Sequence, residues 1–497
     1  MKIKNLVILD YLKIKNLIKI IFFISLLYFF ALFLISEINL ETFIFIIILF
    51  FINFSLFYIY FSLKKELDYF PIYPLIIFYY FVTCTSYFYL NYELEPIFGN
   101  AFPGEDVNER FIYPEIKQLI VTLSLGLTSF SIGYFLLNYF VINKNIHNIK
   151  LNWNSKIELA LVLAFFLFII FYYINIEKKF TNLSIISQLK FPIMIFLLSY
   201  FQVKYLLSKN IFFNIILILL LSFLFVIEIS RGATVFPYLL IAIVISMKLF
   251  MTKQINLLTI LLIMCSVLVV HTLKYEIRDK FSVYESQNRS NDNDQNQLLR
   301  NLNETKETYL NINLEKIFNN GNLSGQEHRL FHSNTSLQIT LTRTPNEIDY
   351  YGGKSYASIP YKFLPRFLFK DKPKEEWGNF WGKRYEVINM KDNNTAWNFP
   401  VLNEFYANFS YKGVVFGMFL LGFIIKFLLI LLSFNLKQPI LLSMSSTVML
   451  NFFFLESNLS MVIGSAINQI IFFSAIIFLM CFFNFLLKQI ANFKMRI

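Results

Sequence analysis

The sequence predicts an all-α polytopic membrane protein with about twelve transmembrane helices and one large extracytoplasmic loop that itself contains short helices. Three observations predict it. Hydrophobic residues make up 57% of the 497 positions and charged residues only 15%, more apolar surface than a soluble chain of this size can hide. That apolar text falls into runs long enough to cross a bilayer, about 20 residues each. Lysine and arginine collect in every second turn between those runs, as membrane orientation demands. The net charge of +12 is thereby accounted for, and no nucleic-acid partner is expected.

In chain order the runs lie near 18–36, 42–63, 71–90, 116–141, 157–175, 189–207, 211–229, 233–250, 255–272, 412–434, 440–455 and 462–486. The first has a basic flank (Lys13, Lys15, Lys19) and no small-residue cleavage site. It reads as an uncleaved anchor. The run at 440–455 is short and partly polar. Lys64 and Lys65 follow the second run, Lys144 and Lys150 the fourth, and Lys209, Lys253 and Lys437 mark later turns on the same side. The opposite turns carry Glu37, Glu41, Glu93, Glu95 and Asp106, with Lys178 and Lys179 as exceptions. Both termini are therefore expected in the cytoplasm and the long polar segment outside. The chain divides into nine spans (1–272), the extracytoplasmic loop (273–411) and three spans (412–497). Cys84, Cys265 and Cys481 all lie in apolar runs, so no disulfide or cysteine-metal site is expected in the loop.

A loop this long usually has a function. Residues 286–297 are low-complexity and polar. At Ser324 the text changes: Ser324 and Glu327 have capping-box spacing, and a helix is expected to about Leu341. Pro345, Gly352, Gly353, Pro360, Pro365 and Pro373 then interrupt regular structure. Trp377, Trp381 and Trp397 are three of the chain's four tryptophans, and a loop lying along the outer interface would use them as anchors.

The candidate chemistry is cationic. Arg231 sits in a five-residue turn beside Glu228, where a charge is costly unless paired. It either pairs with Glu228 or grips an anionic headgroup through its planar fork. Arg278, Arg329, Arg343 and Arg366 are the loop candidates for the same anion; they either serve it or merely solvate the loop. Arg343, closing the predicted helix, either caps carbonyls or points into a site. His332 shares a helix face with Arg329 and with His328, and an imidazole is a natural general base. No third ligand stands at metal-site spacing, so no metal and no cofactor is expected. Glu404, in NEFYANF before the tenth run, is the best-placed carboxylate base, whereas Asp371 balances the charge of its KDKP surroundings and His271 reads as structural.

The succession of a short SRG turn (Ser230–Gly232), then HRL, TRTP, GGKSY, PRFLFKDKP and NEFYANFSYKG in one large loop, leading into a glycine-bearing span (Gly413, Gly417, Gly422), resembles the Wzy-type O-antigen and capsule repeat-unit polymerases, relatives of the O-antigen ligases. The resemblance implies a glycosyltransferase of the bacterial inner membrane that makes lipopolysaccharide or capsule. Its donor and acceptor would be polyprenyl-diphosphate-linked (undecaprenyl-diphosphate-linked) oligosaccharides at the outer face of the bilayer. A chain-length regulator is a further expected partner. On that resemblance Arg231, Arg278, Arg329, Arg343 and Arg366 hold the diphosphate, and His332 or Glu404 activates the acceptor hydroxyl. Transfer is metal-independent and inverting if it is a single displacement. The alternatives are an O-antigen ligase with the same donor, and a lipid-linked oligosaccharide flippase or transporter. Against the transporter the sequence sets its single large loop and its lack of repeats or broken-helix signals.

Overall fold

A computed structural model of the chain describes residues 40–63, most of 70–84, 116–140, 155–174, 184–230 except 209, 324–363, 376–432 except 394, and 438–494 except 454. For the ends of several helices, 324–332 among them, the description is of the backbone alone. The described residues are helical, with no strand among them. The helices are α1 (Leu40–Leu63), α2 (Ile116–Phe140), α3 (Ser155–Ile174), α4 (Ser184–Ser208), α5 (Ile211–Ser230), α6 (Ser324–Arg343), α7 (Trp377–Arg384), α8 (Val401–Leu431), α9 (Pro439–Leu450) and α10 (Leu459–Lys494). Four of them, α2, α4, α8 and α10, are long and apolar enough to cross a membrane. The expected spans at 18–36, 233–250 and 255–272 lie outside the described residues, as does much of 71–90.

One expectation needs correction. The run at 440–455 forms only the 12-residue α9 and a three-residue 3-10 turn, Asn451–Phe453. That is about 24 Å of helix, short of the roughly 30 Å hydrocarbon core. Its serines and threonine bond back to the preceding turn: Ser443, Ser445, Ser446 and Thr447 donate to carbonyls four residues earlier at 2.6–2.8 Å. A break in helix continuity falls at the expected boundary between the loop (to 411) and the tenth run (from 412). α8 is interrupted at Phe409 (φ −143°, ψ 22°) and Ser410 (φ 60°, ψ −153°), a break that neither glycine nor proline announces.

Contacts divide the chain into two compact units. The first holds residues 1–146, 327–432 and 449–471. Its axis is the pairing of α2 with α8. A Cβ placed on Gly133 would overlap the Phe419 carbonyl, and one on Gly422 would overlap the Phe130 carbonyl. Only glycine lets the backbones approach so closely, the small-residue device of membrane helices. Gly126 meets Val414 and Gly133 meets Phe419, so the two helices run parallel. Tyr73, fully buried, joins α1 to α2: its hydroxyl donates to Ser131 Oγ (2.9 Å) and its ring stacks on Tyr60.

α6 is the least expected part of this unit. Its second half reads SNTSLQITLT, yet Ser333, Asn334, Ser336, Gln338 and Thr340 are all buried, as are Leu337, Ile339 and Leu341. Several of these polar groups are absorbed by back-bonds (Thr340 to the Ser336 carbonyl, 2.7 Å) and by neighbours, Asn403 Nδ2 donating to Ser336 Oγ at 2.7 Å, whereas Asn334 Nδ2 meets no acceptor among the described residues. The helix is a strut inside the unit rather than an exposed loop element. The tryptophans follow the same logic. Trp381 (0% exposed) and Trp397 (8%) pack with Tyr385, Phe399, Ile339, Ile388 and Ala407. Trp381 stacks on Phe399 with centroids 4.5 Å apart. They build an aromatic core for a folded lobe instead of anchoring a loop in lipid headgroups.

The second unit holds residues 147–326, 433–448 and 472–497. There α4 packs on α3 and α5. Phe165 meets Phe196 edge-on at 5.2 Å. Glu158 accepts from Tyr200 Oη (2.7 Å) and pairs with Lys204 (2.9 Å), which keeps a helix-borne carboxylate compensated.

Candidate functional site

The site is assembled from the start of α8, the Tyr351–Tyr356 segment and the residues that open α10. Val401 opens α8 behind Pro400, whose φ of −59° and missing N–H suit a helix start, and the Val401 N–H donates to the Leu455 carbonyl at 3.0 Å. Eight residues later the break at Phe409–Ser410 leaves the last carbonyls of this short helix without intrahelical partners. The Tyr351–Gly353 turn supplies them. Tyr351 N–H donates to the Ala407 carbonyl (2.9 Å) and Gly352 N–H to the Asn408 carbonyl (3.3 Å). Gly352 (φ 65°) and Gly353 (φ 81°) adopt the left-handed conformation this docking requires. Phe409 lies over Gly353, where a Cβ would come within 2.7 Å of its ring.

Asn408 closes the junction. It is 1% exposed. Its Oδ1 accepts from Gly353 N–H (2.8 Å), and its Nδ2 donates to Ser355 Oγ (3.0 Å), Tyr356 Oη (3.3 Å) and the Glu404 carbonyl (2.8 Å). Tyr356 Oη also faces the Glu404 carbonyl at 3.5 Å. Burial, then the neighbouring Glu404 charge, holds the Tyr356 phenol well above its ordinary range, so it stays a neutral donor.

At the centre is Glu404, with no exposed surface. Its Oε2 accepts from the Leu459 N–H at 2.7 Å, an orphan donor at the start of α10 and a favourable place for negative charge. Ser355 stands beside the carboxylate, yet among the described residues no donor reaches Oε1 in hydrogen-bonding geometry. An open carboxylate oxygen in a closed protein interior is costly unless something is meant to meet it. A second carboxylate lies in the same turn before α10: Glu456 accepts from Tyr79 Oη at 2.7 Å, and the same hydroxyl meets Ser333 Oγ at 2.6 Å.

Of the residues singled out in the sequence, Glu404 is thus built into a polar cluster. Arg343 is placed elsewhere, in the aromatic lobe. Its Nε meets Glu347 (2.6 Å), its Nη2 meets Glu386 (3.1 Å), and its Nη1 donates to the Tyr385 carbonyl (2.7 Å). In this arrangement the guanidinium ties the end of α6 to the end of α7. To hold a phosphate it would have to release one of these partners. Arg329 and His332 lie three apart on α6, on its backbone-only stretch, so their side-chain positions fall outside the described residues. So do Arg231, Arg278 and Arg366. Among the described residues no three His, Cys, Asp or Glu side chains gather as a metal site.

Asn408, Ser355, Tyr356, Tyr79 and Glu456 were not marked by the sequence. Of these, Asn408, Ser355 and Tyr356 carried a signal, since each stands inside a block that bears the resemblance. Comparison with known proteins returns no match among family models, curated proteins or solved structures.

Proposed function

We propose that the chain is a membrane glycosyltransferase that joins polyprenyl-diphosphate-linked oligosaccharide repeat units. One observation carries the reading: GGKSY and NEFYANF, two blocks of the resemblance more than forty residues apart, are hydrogen-bonded together around a buried carboxylate with an open oxygen. Glu404 Oε1 takes the proton of an acceptor sugar hydroxyl as that oxygen attacks the donor's anomeric carbon. The bond to the lipid diphosphate breaks, the configuration inverts, and polyprenyl diphosphate leaves. Arg231, with Arg278, Arg329 and Arg366, neutralises the charge developing on the leaving group without a metal. The apolar helices hold both prenyl tails in one plane, so much of the acceleration is positioning. His332 is the second candidate base.

A specific observation also favours a second reading. The interrupted α8 and the short α9 are the kind of discontinuous helices that line substrate paths in transporters, so a lipid-linked oligosaccharide flippase stays in contention, as does a ligase with the same donor. The test is polymer laddering in cells lacking the protein, complemented with wild type, Glu404→Gln, His332→Ala or Arg231→Ala at matched expression. Long chains from wild type and single units from Glu404→Gln and Arg231→Ala support polymerase chemistry. Long chains left unattached in the deletion strain identify a ligase. Repeat units trapped on the cytoplasmic leaflet identify a transporter and overturn the proposal.

A further inference from the structure

Residues 351–363 run as a strap across the Glu404 site. At one end the strap is tied to the break in α8 through Tyr351, Gly352 and Gly353. At the other, the aliphatic stem of Lys362 fills the notch at Gly464 of α10, where a Cβ would come within 2.8–3.2 Å of Lys362 Cδ, Cγ and Cε. Between these points Ser355 and Tyr356 cover the Glu404 helix. The strap therefore bridges the seam that the Glu404–Leu459 contact closes.

We propose that this strap is a gate: it swings on Gly352 and Gly353 to uncover Glu404, and its closed position seals the carboxylate seen here. Three features make it the movable part. From Tyr351 to Lys362 only Ser355 is buried, so little apolar surface holds the strap down. Beyond the glycines its attachments include hydrogen bonds, the Tyr356 ring lying against Phe405 and Phe409, and one lysine stem, a small set for a twelve-residue segment. Its leading residues are two consecutive left-handed glycines; Phe409 lies over Gly353, whereas Gly352 has nothing within 4 Å of a notional Cβ and is the freer pivot. Glu404 has no exposed surface in the closed position, and any polar reactant needs such an opening to reach Oε1. The gate does not depend on the transfer reaction, because it concerns access to the carboxylate whatever is done there.

The test reads access directly. In detergent-solubilised full-length protein, Glu404 is labelled with a water-soluble carbodiimide and glycine ethyl ester, and the adduct is quantified by mass spectrometry. Glu404→Gln supplies the blank. Lys362→Cys with Gly464→Cys, in a background lacking Cys84, Cys265 and Cys481, provides a reversible lock. The notional Gly464 Cβ lies 3.1 Å from Lys362 Cγ, and Cβ of residue 362 is one bond of about 1.5 Å further, within disulfide reach. Oxidation should slow labelling at Glu404 by roughly tenfold or more, and reductant should restore it in the same sample. Ser355→Ala, which removes a tie to Asn408, should speed labelling severalfold. Equal rates in locked and reduced protein overturn the gate. So does equal labelling by a lipid-soluble carbodiimide in both states with none by the water-soluble reagent, since access would then come from the bilayer.

Discussion

Arg343→Ala separates a staple from a phosphate ligand. The wild-type guanidinium is 12% exposed and joins Glu347, Glu386 and the Tyr385 carbonyl. Glu347 and Glu386 are 52% and 54% exposed. Each pair is thus a surface ion pair, of order 0–1 kcal/mol, and a freed carboxylate simply hydrates. The Tyr385 carbonyl belongs to a residue only 1% exposed, and leaving such an acceptor unmet costs about 1–3 kcal/mol. The variant should therefore destabilise the lobe by about 2 kcal/mol. Arg343→Lys should forfeit roughly half of that, since an ammonium cannot fork to three partners. Glu347→Gln with Glu386→Gln should cost under about 1 kcal/mol, because the carbonyl bond survives. Denaturant titration in detergent, followed by tryptophan fluorescence, reads the lobe, which holds three of the four tryptophans. If Arg343→Ala leaves that transition in place while polymer laddering vanishes, Arg343 is a substrate ligand and the staple account is wrong.

Gly422→Ala puts a methyl into the Phe130 carbonyl across the α2–α8 contact, backbone against backbone. It should cost about 1–3 kcal/mol in thermal stability, and an unchanged melting curve would mean the helices are not in that register. Ser410→Gly should stabilise by about 1 kcal/mol, because φ 60° with ψ −153° is glycine territory; a loss of stability would contradict the break. Burial, outweighing the hydrogen bond to Thr344, pushes the Tyr385 phenol up to about 12, against about 10 in the unfolded chain. The folded state keeps that proton longer, so Tyr385's contribution is intact below about pH 10 and drains away toward pH 12 at about 1.4 kcal/mol per unit. Alkaline unfolding of Tyr385→Phe should show a shallower slope there.

What was legible in the sequence follows from what lipid forbids. A backbone in hydrocarbon must satisfy its own hydrogen bonds, so a run of apolar residues about 20 long can be little else than a helix. Thus the run at 116–141 is Ile116–Phe140, that at 211–229 is Ile211–Ser230, and the helix expected from Ser324 to about Leu341 ends at Arg343. Illegible was whatever depends on a partner far away in sequence. Ser410 is an ordinary serine until Tyr351 and Gly352 take the carbonyls its geometry leaves free. The tryptophans look the same on paper in a lipid interface and in a packed lobe; Phe399 and Ile339 decide between them. Glu404 stood out only as a carboxylate before a span, and nothing local foretold that Leu459 would take one oxygen and leave the other open.

The break in α8 ties these observations together. Had the helix run on through Ser410, its carbonyls at Ala407 and Asn408 would bond within α8 and the Tyr351–Gly353 turn would have no acceptors. Asn408 would then lose its role as junction and the strap its anchor. Gly413 would also lose its purpose: it lies against the Phe405 carbonyl, and Gly417 against the Phe405 ring, only because the leading helix folds back on the one that follows. One strained residue thus lets an apolar helix present a carboxylate-bearing leading segment to the Tyr351–Tyr356 turn. That strain, of order 1–3 kcal/mol, is offset by the bonds made to the freed carbonyls.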